Sequence, residues 1–344
     1  MSFRKKMQVL LIFDSPFEPP EDFCFEEEFK KPDWKAEKAV REALLELGHE
    51  VICLGLYHDI LPLVSLIKNN PPDVVFNLTE IFSNNPVLDM NVVALLELIG
   101  IPYTGCSSAG MLICKNKALA KELLSFHHIR TPQFAVIKQG KRILLPEKIQ
   151  FPVLVKPLKE EASYGISLNS LVDHEKDYIS RVRYVHDTFH TDALVEEYMV
   201  GRELYVSLIG NLQLEVFPCR EMVFEGVPQH EPKFATFKAK WDEKYRQKWG
   251  IKNRFAHPFS EGVMEQINTI CKQAYDLLQI TGYGRMDLRL TPDNQIMLIE
   301  ANPNPYIAPD EDFALSALKR GLSYPELIQK ILKLACKKPL SSNF

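Results

Sequence analysis

Gly284-Arg-Met-Asp-Leu-Arg-Leu-Thr-Pro-Asp-Asn-Gln-Ile-Met-Leu-Ile-Glu-Ala-Asn302 alternates apolar and polar residues on both sides of a turn-rich centre. Alternation with period two predicts two strands, and Thr291 to Gln295 supply the turn, so the stretch reads as an antiparallel hairpin. A two-residue loop at Asp293-Asn294 pairs Asp287 with Glu300 and Arg285 with Asn302. Those four side chains then share one face, while Met286, Leu288, Ile299 and Ala301 face a core. Two carboxylates held opposite each other, Cβ atoms about 4.5–5.5 Å apart, repel. They call for a cation. Oxygen donors from Asp287, Glu300 and Asn302 suit Mg²⁺, which takes carboxylates together with phosphate oxygens. Arg285 beside them is a fixed donor for a phosphate or oxyanion. A solvated face with an Arg–Asp pair is the plainer account. Four polar groups on one face, followed by Asn302-Pro-Asn-Pro305, favour the cation site.

Composition narrows the classes. A chain of 344 residues predicts two or three domains. Its 46% apolar and 25% charged residues are those of an ordinary globular protein. A net charge of -4 offers no bulk attraction to nucleic acid or to a membrane surface. Glycine is scarce, 15 residues in all, against a usual ~7%. The one G-x-G is Gly282-Tyr-Gly284, and Asp287 stands where a third glycine would complete G-x-G-x-x-G. No G-x-x-x-x-G-K-[ST] occurs either, so both familiar nucleotide loops are excluded. The seven cysteines are scattered without C-x-x-C, and H-E-x-x-H is absent. They read as reduced thiols, with no zinc site. The run Val9 to Phe13 is too short for a signal peptide, and no run nears the ~18–20 apolar residues of a membrane span. A cytoplasmic protein is expected.

Along the chain, Gln8 to Phe13 predicts a buried strand, followed by a proline-rich acidic loop over 15–33. A helix is expected at about 34–47, with Asp33 as cap and Gly48 as stop. Strands are expected at Val51–Leu54 and Asp73–Asn77, an apolar helix at 87–99, and Ile101–Gly105 closes the unit. This is an open parallel sheet with covering helices. A helix Lys117–Ser125 opens a small α+β part with strands at Gln133–Ile137, Phe151–Lys156, Ile166–Leu168 and Ala193–Glu197. Longer strands at 203–209, 213–217, 285–290 and 296–300 follow, with helices at 261–278 and 323–336. The expected domains are 1–114, 115–202 and 203–344.

Further candidates lie at strand ends. Phe151-Pro-Val-Leu-Val-Lys156 is an apolar strand ending in a lysine that is poorly solvated unless it meets an anion. The loop Glu160 to Ile166 carries Ser163 and one glycine, Gly165, and can present N–H groups to phosphate. Ala193-Leu-Val-Glu196-Glu197-Tyr198-Met199 precedes Gly201-Arg-Glu203. The two acids can accept from an exocyclic amine, and Glu203 from ribose hydroxyls. A surface lysine and a charged linker are the plainer accounts of these two segments.

In this order the segments resemble the ATP-grasp superfamily, and within it the D-alanine–D-alanine ligase type. The matching stretches are Leu95 to Gly105, Lys115-Asn-Lys117, Phe151 to Pro157, Ser163 to Gly165, Val195 to Met199 with Gly201-Arg-Glu203, Lys238-Ala-Lys240, Gly284 to Asp287 and Glu300 to Asn302. The resemblance implies an N-terminal α/β domain and two α+β lobes that sandwich ATP. Lys117 and Lys156 are then phosphate-binding lysines, and Ser163 lies in the loop over the phosphates. Glu196, Glu197, Tyr198 and Met199 match the adenine hinge, and Glu203 the ribose carboxylate. Lys240 resembles a γ-phosphate lysine. Asp287, Glu300 and Asn302 look like Mg²⁺ ligands, with Mn²⁺ as substitute, and Arg285 like the residue that steadies the transferred phosphoryl group. The implied partners are a small carboxylate and a small amine, amino acid or peptide, and a second copy of the chain in a homodimer.

The substrate side departs from the family. Ile12 to Pro20 lacks the serine- and glycine-rich first loop, and Asn77 to Pro86 replaces a histidine- and glycine-rich one. Trp241 stands where a tyrosine is expected. Asp310, Glu311 and Asp312 replace small and hydroxylic residues; they would repel a carboxylate tail and favour an amine-bearing acceptor, or form a solvated turn. The expected function is an ATP-dependent carboxylate–amine ligase whose substrates are not two D-alanines. A D-alanine–D-alanine ligase with altered loops and a non-catalytic ATP-binding module are the alternatives.

Overall fold

The computed structural model describes residues 6–160 and 162–337. Its first sheet is parallel, with β1 (Gln8–Asp14) between β2 (Glu50–Leu56) and β3 (Val74–Asn77). Central β1 is apolar on both faces, as a strand covered on both sides must be. Val9, Leu11 and Phe13 enter one core, Leu10 and Ile12 another. α1 (Lys35–Glu46) covers the first face together with the last helix of the chain. α2 (Leu61–Asn69) and α3 (Asp89–Ile99) cover the second. The short helices α4 (Ser108–Lys115) and α5 (Lys117–Phe126) lead out of this unit.

The second sheet is antiparallel. Its strands are β4 (Phe134–Ile137), β5 (Val153–Pro157), β6 (Leu171–Val172) and β7 (Ala193–Glu197), in the order β4-β7-β5-β6. α6 (Glu175–Phe189) packs Tyr178, Val182 and Val185 against it.

The third sheet holds β8 (Arg202–Ile209), β9 (Glu215–Val216), β10 (Arg220–Phe224), β11 (Ile251–Phe255), β12 (Tyr283–Leu290) and β13 (Ile296–Asn302). The order is β11-β10-β8-β12-β13, with β9 paired to β8. Between β10 and β11 run α7 (Phe237–Trp241) and α8 (Glu243–Lys248). α9 (Val263–Leu277) buries Ile267, Cys271 and Ala274 against Met286 and Leu288. α10 (Asp312–Lys319) and α11 (Tyr324–Cys336) end the described chain, and α11 closes the core of β1 with Leu327, Ile328 and Ile331.

Several expectations change. Asp33 does not cap α1: it lies in a 3-10 turn, Pro32–Trp34, and Trp34 occupies the cap position without a side-chain bond. No strand forms at 166–168. Gly165 sits at φ 74°, and Arg181 on α6 holds the Gly165 carbonyl and the Ser170 hydroxyl, so the chain turns there and β6 starts only at Leu171. α2, α4, α6, α7, α8 and α10 appear where no helix was expected, and β10 and β11 where no strand was. All seven cysteines are free thiols. Among the described residues no helix is long and apolar enough to cross a membrane.

The hairpin keeps its pairs by a different route. Its connection spans Thr291 to Gln295, not two residues, so Leu290 pairs with Ile296. A β-bulge then follows: Leu288 pairs with Leu298 while Asp287 pairs with Glu300, leaving Ile299 extra. A bulge inserts one unpaired residue on one strand. It restores the predicted pairs Asp287–Glu300 and Arg285–Asn302. Its cost falls on Ile299, which leaves the core to Leu298.

Candidate active site

Register builds the site. β12 lies between β8 and β13, so Asp287 is flanked by Tyr205 and Glu300, Arg285 by Ser207 and Asn302, and Arg289 by Glu203 and Met297. Arg285 donates to both Asp287 oxygens, Nε to Oδ1 at 2.7 Å and Nη2 to Oδ2 at 2.9 Å. Its guanidinium stands 4.9 Å from the Tyr205 ring centre. A bidentate Arg–carboxylate pair fixes both groups. Burial pushes the Asp287 carboxyl up, with Arg285 opposing. Burial also disfavours the Arg285 charge, but Asp287 outweighs it and keeps the guanidinium firmly protonated.

Glu300 faces lysines. Lys117, at the start of α5, reaches its Oε1 at 3.1 Å and also holds the Glu160 carbonyl of the loop beyond β5. Burial pushes the Glu300 carboxyl up, but Lys117, Lys240 and Lys156 more than offset this and bring it to about 2. Lys240 on α7 acts on Asp287 as well. Lys156, at the end of β5, meets Glu196 of β7 at 2.5 Å. Lys121 meets the other Glu196 oxygen at 3.0 Å, and both groups are about 2% exposed. Burial alone would raise Glu196, but the two lysines hold it below the usual carboxylate range. Lys121 pays the opposite way: burial lowers it, against the pull of Glu196.

A second polar group lies along the same face. Glu203 Oε2 accepts from Arg289 Nη2 at 2.9 Å and from the Ala235 amide at 3.1 Å, and its Oε1 accepts from the Tyr205 hydroxyl at 3.1 Å. Tyr198 donates to the Lys233 carbonyl at 3.3 Å and packs on Phe234. Glu197 accepts from the Gln133 amide at 3.2 Å, linking β7 to β4.

The loop with Ser163 is met by α7. Ala162 and Ser163 both take positive φ, 52° and 62°. Trp241 Nε1 donates to the Ala162 carbonyl at 2.9 Å, Phe237 N to the Ile166 carbonyl at 2.9 Å, and Phe237 packs on Tyr164. Trp241 therefore has a donor role that pins two loops of different sheets. Met199 is half-buried, and Asn302 has a buried Nδ2 without a hydrogen-bond partner.

The acidic segment after β13 splits. Asp312 is buried and taken by Arg220 at 2.9 Å and Asn253 at 2.6 Å. Asp310 pairs with Lys35 at the surface. Glu311 stays in the field of Arg285, its carboxyl raised by burial and by its acidic neighbours.

Lys121, Arg289 and Tyr205 escaped the sequence reading. Each had a signal: Lys121 is four residues after Lys117 on one helix face; Arg289 and Tyr205 continue the period-two faces of Arg285–Asp287 and Glu203.

Comparison with known proteins gives the family. Residues 117–333 match the family described as D-ala D-ala ligase C-terminus. An uncharacterized protein of Sinorhizobium fredii, y4sG, is 31% identical over 337 residues, 95% of this chain and 93% of that one. A D-alanine–D-alanine ligase of Moorella thermoacetica is 26% identical over 310 residues, 88% of this chain and 93% of the relative. The crystal structure of the Bacillus anthracis D-alanine–D-alanine ligase complexed with ATP superposes with a TM-score of 0.73 at 19% identity, covering 96% of this chain and 98% of that one. The three sheets are thus the ATP-grasp fold, and the chain belongs to the D-ala D-ala ligase C-terminus family as an ATP-grasp ligase of the D-alanine–D-alanine ligase type.

Proposed function

We propose that the chain joins a small carboxylate to a small amine at the expense of ATP, through an acyl phosphate, and that its substrates are not two D-alanines. The exclusion of two D-alanines rests on the altered loops Ile12 to Pro20 and Asn77 to Pro86. The observation that carries the ligase chemistry is the convergence of Arg285, Lys117, Lys156 and Lys240 on the paired carboxylates Asp287 and Glu300. Such a constellation is suited to positioning and charge stabilisation in phosphoryl transfer.

In the proposed reaction Lys117 and Lys156 bind ATP phosphates, and Lys240 approaches the γ-phosphoryl group when α7 and the Ser163 loop close. Glu203 takes the ribose, and the segment Glu196 to Met199 lines the adenine, with backbone groups as the available contacts where Glu196 is committed to its lysines. The γ-phosphoryl group passes to the substrate carboxylate. Arg285, held by Asp287, faces the negative charge that develops there and again in the tetrahedral adduct with the amine. The amide, ADP and phosphate leave. Asp287, Glu300 and Asn302 offer hard side-chain oxygens on one face, so the set fits Mg²⁺. When bound, Mg²⁺ supplies charge neutralisation at the phosphates. We also propose 1–114, 115–202 and 203–344 as the lobes that carry these roles.

Phosphate release from ATP and Mg²⁺ with mixed amino acids tests this. Turnover with pairs other than D-alanine supports it; none with any carboxylate–amine pair rejects it. D-alanine ligation is the second reading, favoured by the relatives that carry that name, and release dependent on D-alanine alone would select it.

A further inference from the structure

Tyr205 of β8 is a large polar side chain, 2% exposed, and its two ends meet two different parts of the site. Register sets it opposite Asp287, on the same face as Glu203 two residues before it. Its hydroxyl donates to Glu203 Oε1 at 3.1 Å. The other oxygen of that carboxylate, Oε2, is held by Arg289 and by the Ala235 amide. The Tyr205 ring centre lies 4.9 Å from the Arg285 guanidinium carbon, and the same guanidinium is bidentate on Asp287. A cation over an aromatic face is drawn to the negative face of the ring, most strongly where water is excluded.

Packing alone does not ask for this residue. The ring shares a small core with Met222, Ile251 and Ala239, and Ala239 precedes Lys240 on α7. Phenylalanine would fill that core as well. The hydroxyl is what distinguishes tyrosine, and it is committed to Glu203, with Met222 Sδ at 3.9 Å. Burial raises the hydroxyl pKa well above the usual tyrosine value, and the acids Glu203, Asp287 and Asp312 add to this against Arg285. The group therefore stays protonated, a donor to Glu203, at neutral pH.

We propose that Tyr205 is a positioning residue with two separable tasks. Its hydroxyl orients Glu203 toward the ribose of ATP, and its ring face fixes the Arg285 guanidinium against the group that receives the phosphoryl. One side chain thus sets the sugar of the nucleotide and the transferred group to a common reference. This rests on the ligase reading for the ligand that each end meets. A core role alone would affect every nucleotide alike.

Calorimetric titration of the full chain with Mg²⁺ and either ATP or 2′,3′-dideoxy-ATP separates the tasks. Tyr205→Phe should weaken ATP about three- to ten-fold, the scale of one hydrogen bond, and leave dideoxy-ATP unchanged, because the hydroxyl acts through the sugar hydroxyls. Its kcat for phosphate release should match the parent. So should its Arg285 Nε–H resonance, identified by its loss in Arg285→Lys. Tyr205→Leu, or Tyr205→Met should the leucine variant unfold, keeps an apolar core and loses the ring. There the resonance should move, and kcat should fall at least about ten-fold. Equal weakening of both nucleotides in Tyr205→Phe, weakening of neither, or an unmoved Arg285 resonance in the ringless variant overturns the proposal. A parent that binds neither nucleotide rejects the ligase reading and the proposal with it. A parent that binds both, while the Tyr205 variants treat them alike, rejects the proposal and leaves the ligase reading standing.

Discussion

Glu196 is the acid on which the buried cations depend. It lies between Lys121 and Lys156, and Lys121 is about 2% exposed. Removing one partner of a buried ionic group leaves an uncompensated charge, typically 3–5 kcal/mol. Glu196→Gln is therefore expected to lower stability by about that much in urea unfolding, and Lys121→Met with Glu196→Gln together by less than either change alone. Arg285 plays the opposite part, since the role proposed for it lies with charge that appears only during reaction. Arg285→Lys keeps a cation but loses the bidentate hold on Asp287. We expect phosphate release to fall about 10²–10³-fold, with the thermal midpoint little changed.

At the scale of elements, the hairpin shows how correct cross-strand pairs can come from an incorrect turn. Alternation in 284–302 fixed which residues face together. It could not reveal that the connection is longer and that Ile299 is extra, because a longer loop and a bulge leave the same pattern at the strand ends. Deleting Ile299 should remove the bulge and leave Leu288–Leu298 and Asp287–Glu300 as successive pairs of a regular ladder, with Glu300 and Asn302 still beside Asp287 and Arg285; the expected result is that phosphate release survives. Helices were less legible. α6 mixes Tyr, Val, His and Arg and gave no clean stripe, although it buries Tyr178, Val182 and Val185. α10 begins at the acids of 312 and was masked by reading them as a loop. Cross-loop contacts were invisible for another reason: Trp241 to Ala162 joins segments far apart in sequence, and no local pattern encodes it. Trp241→Phe removes one donor, about 0.5–1.5 kcal/mol, and should raise the ATP KM roughly 2- to 13-fold, read in steady-state kinetics.

For the whole molecule, two carboxylates set opposing pH trends. Glu300 is brought down to about 2 from 4.5, so its share of stability is present above pH 4.5 and lost as pH falls through 2. Glu37 is pushed up to about 7 by burial, with Asp14 adding repulsion, so the folded state pays for its charge as pH rises from 4.5 through 7. Glu37→Gln should therefore be more stable than the parent at pH 8 and equal to it at pH 4, measured by urea midpoints. The order of the three sheets was legible in the sequence because each is announced by its own apolar strands. How they share cores was not: Val9, Leu11 and Phe13 of β1 close against Leu327, Ile328 and Ile331 of α11.

That last contact bears on biosynthesis. β1 leaves the ribosome well before α11, yet one of its faces has no full cover until residues 324–336 emerge. Through most of translation the nascent chain carries an open apolar sheet, the kind of surface that aggregates or engages a chaperone. The parallel sheet is thus made before the other two sheets and sealed after them.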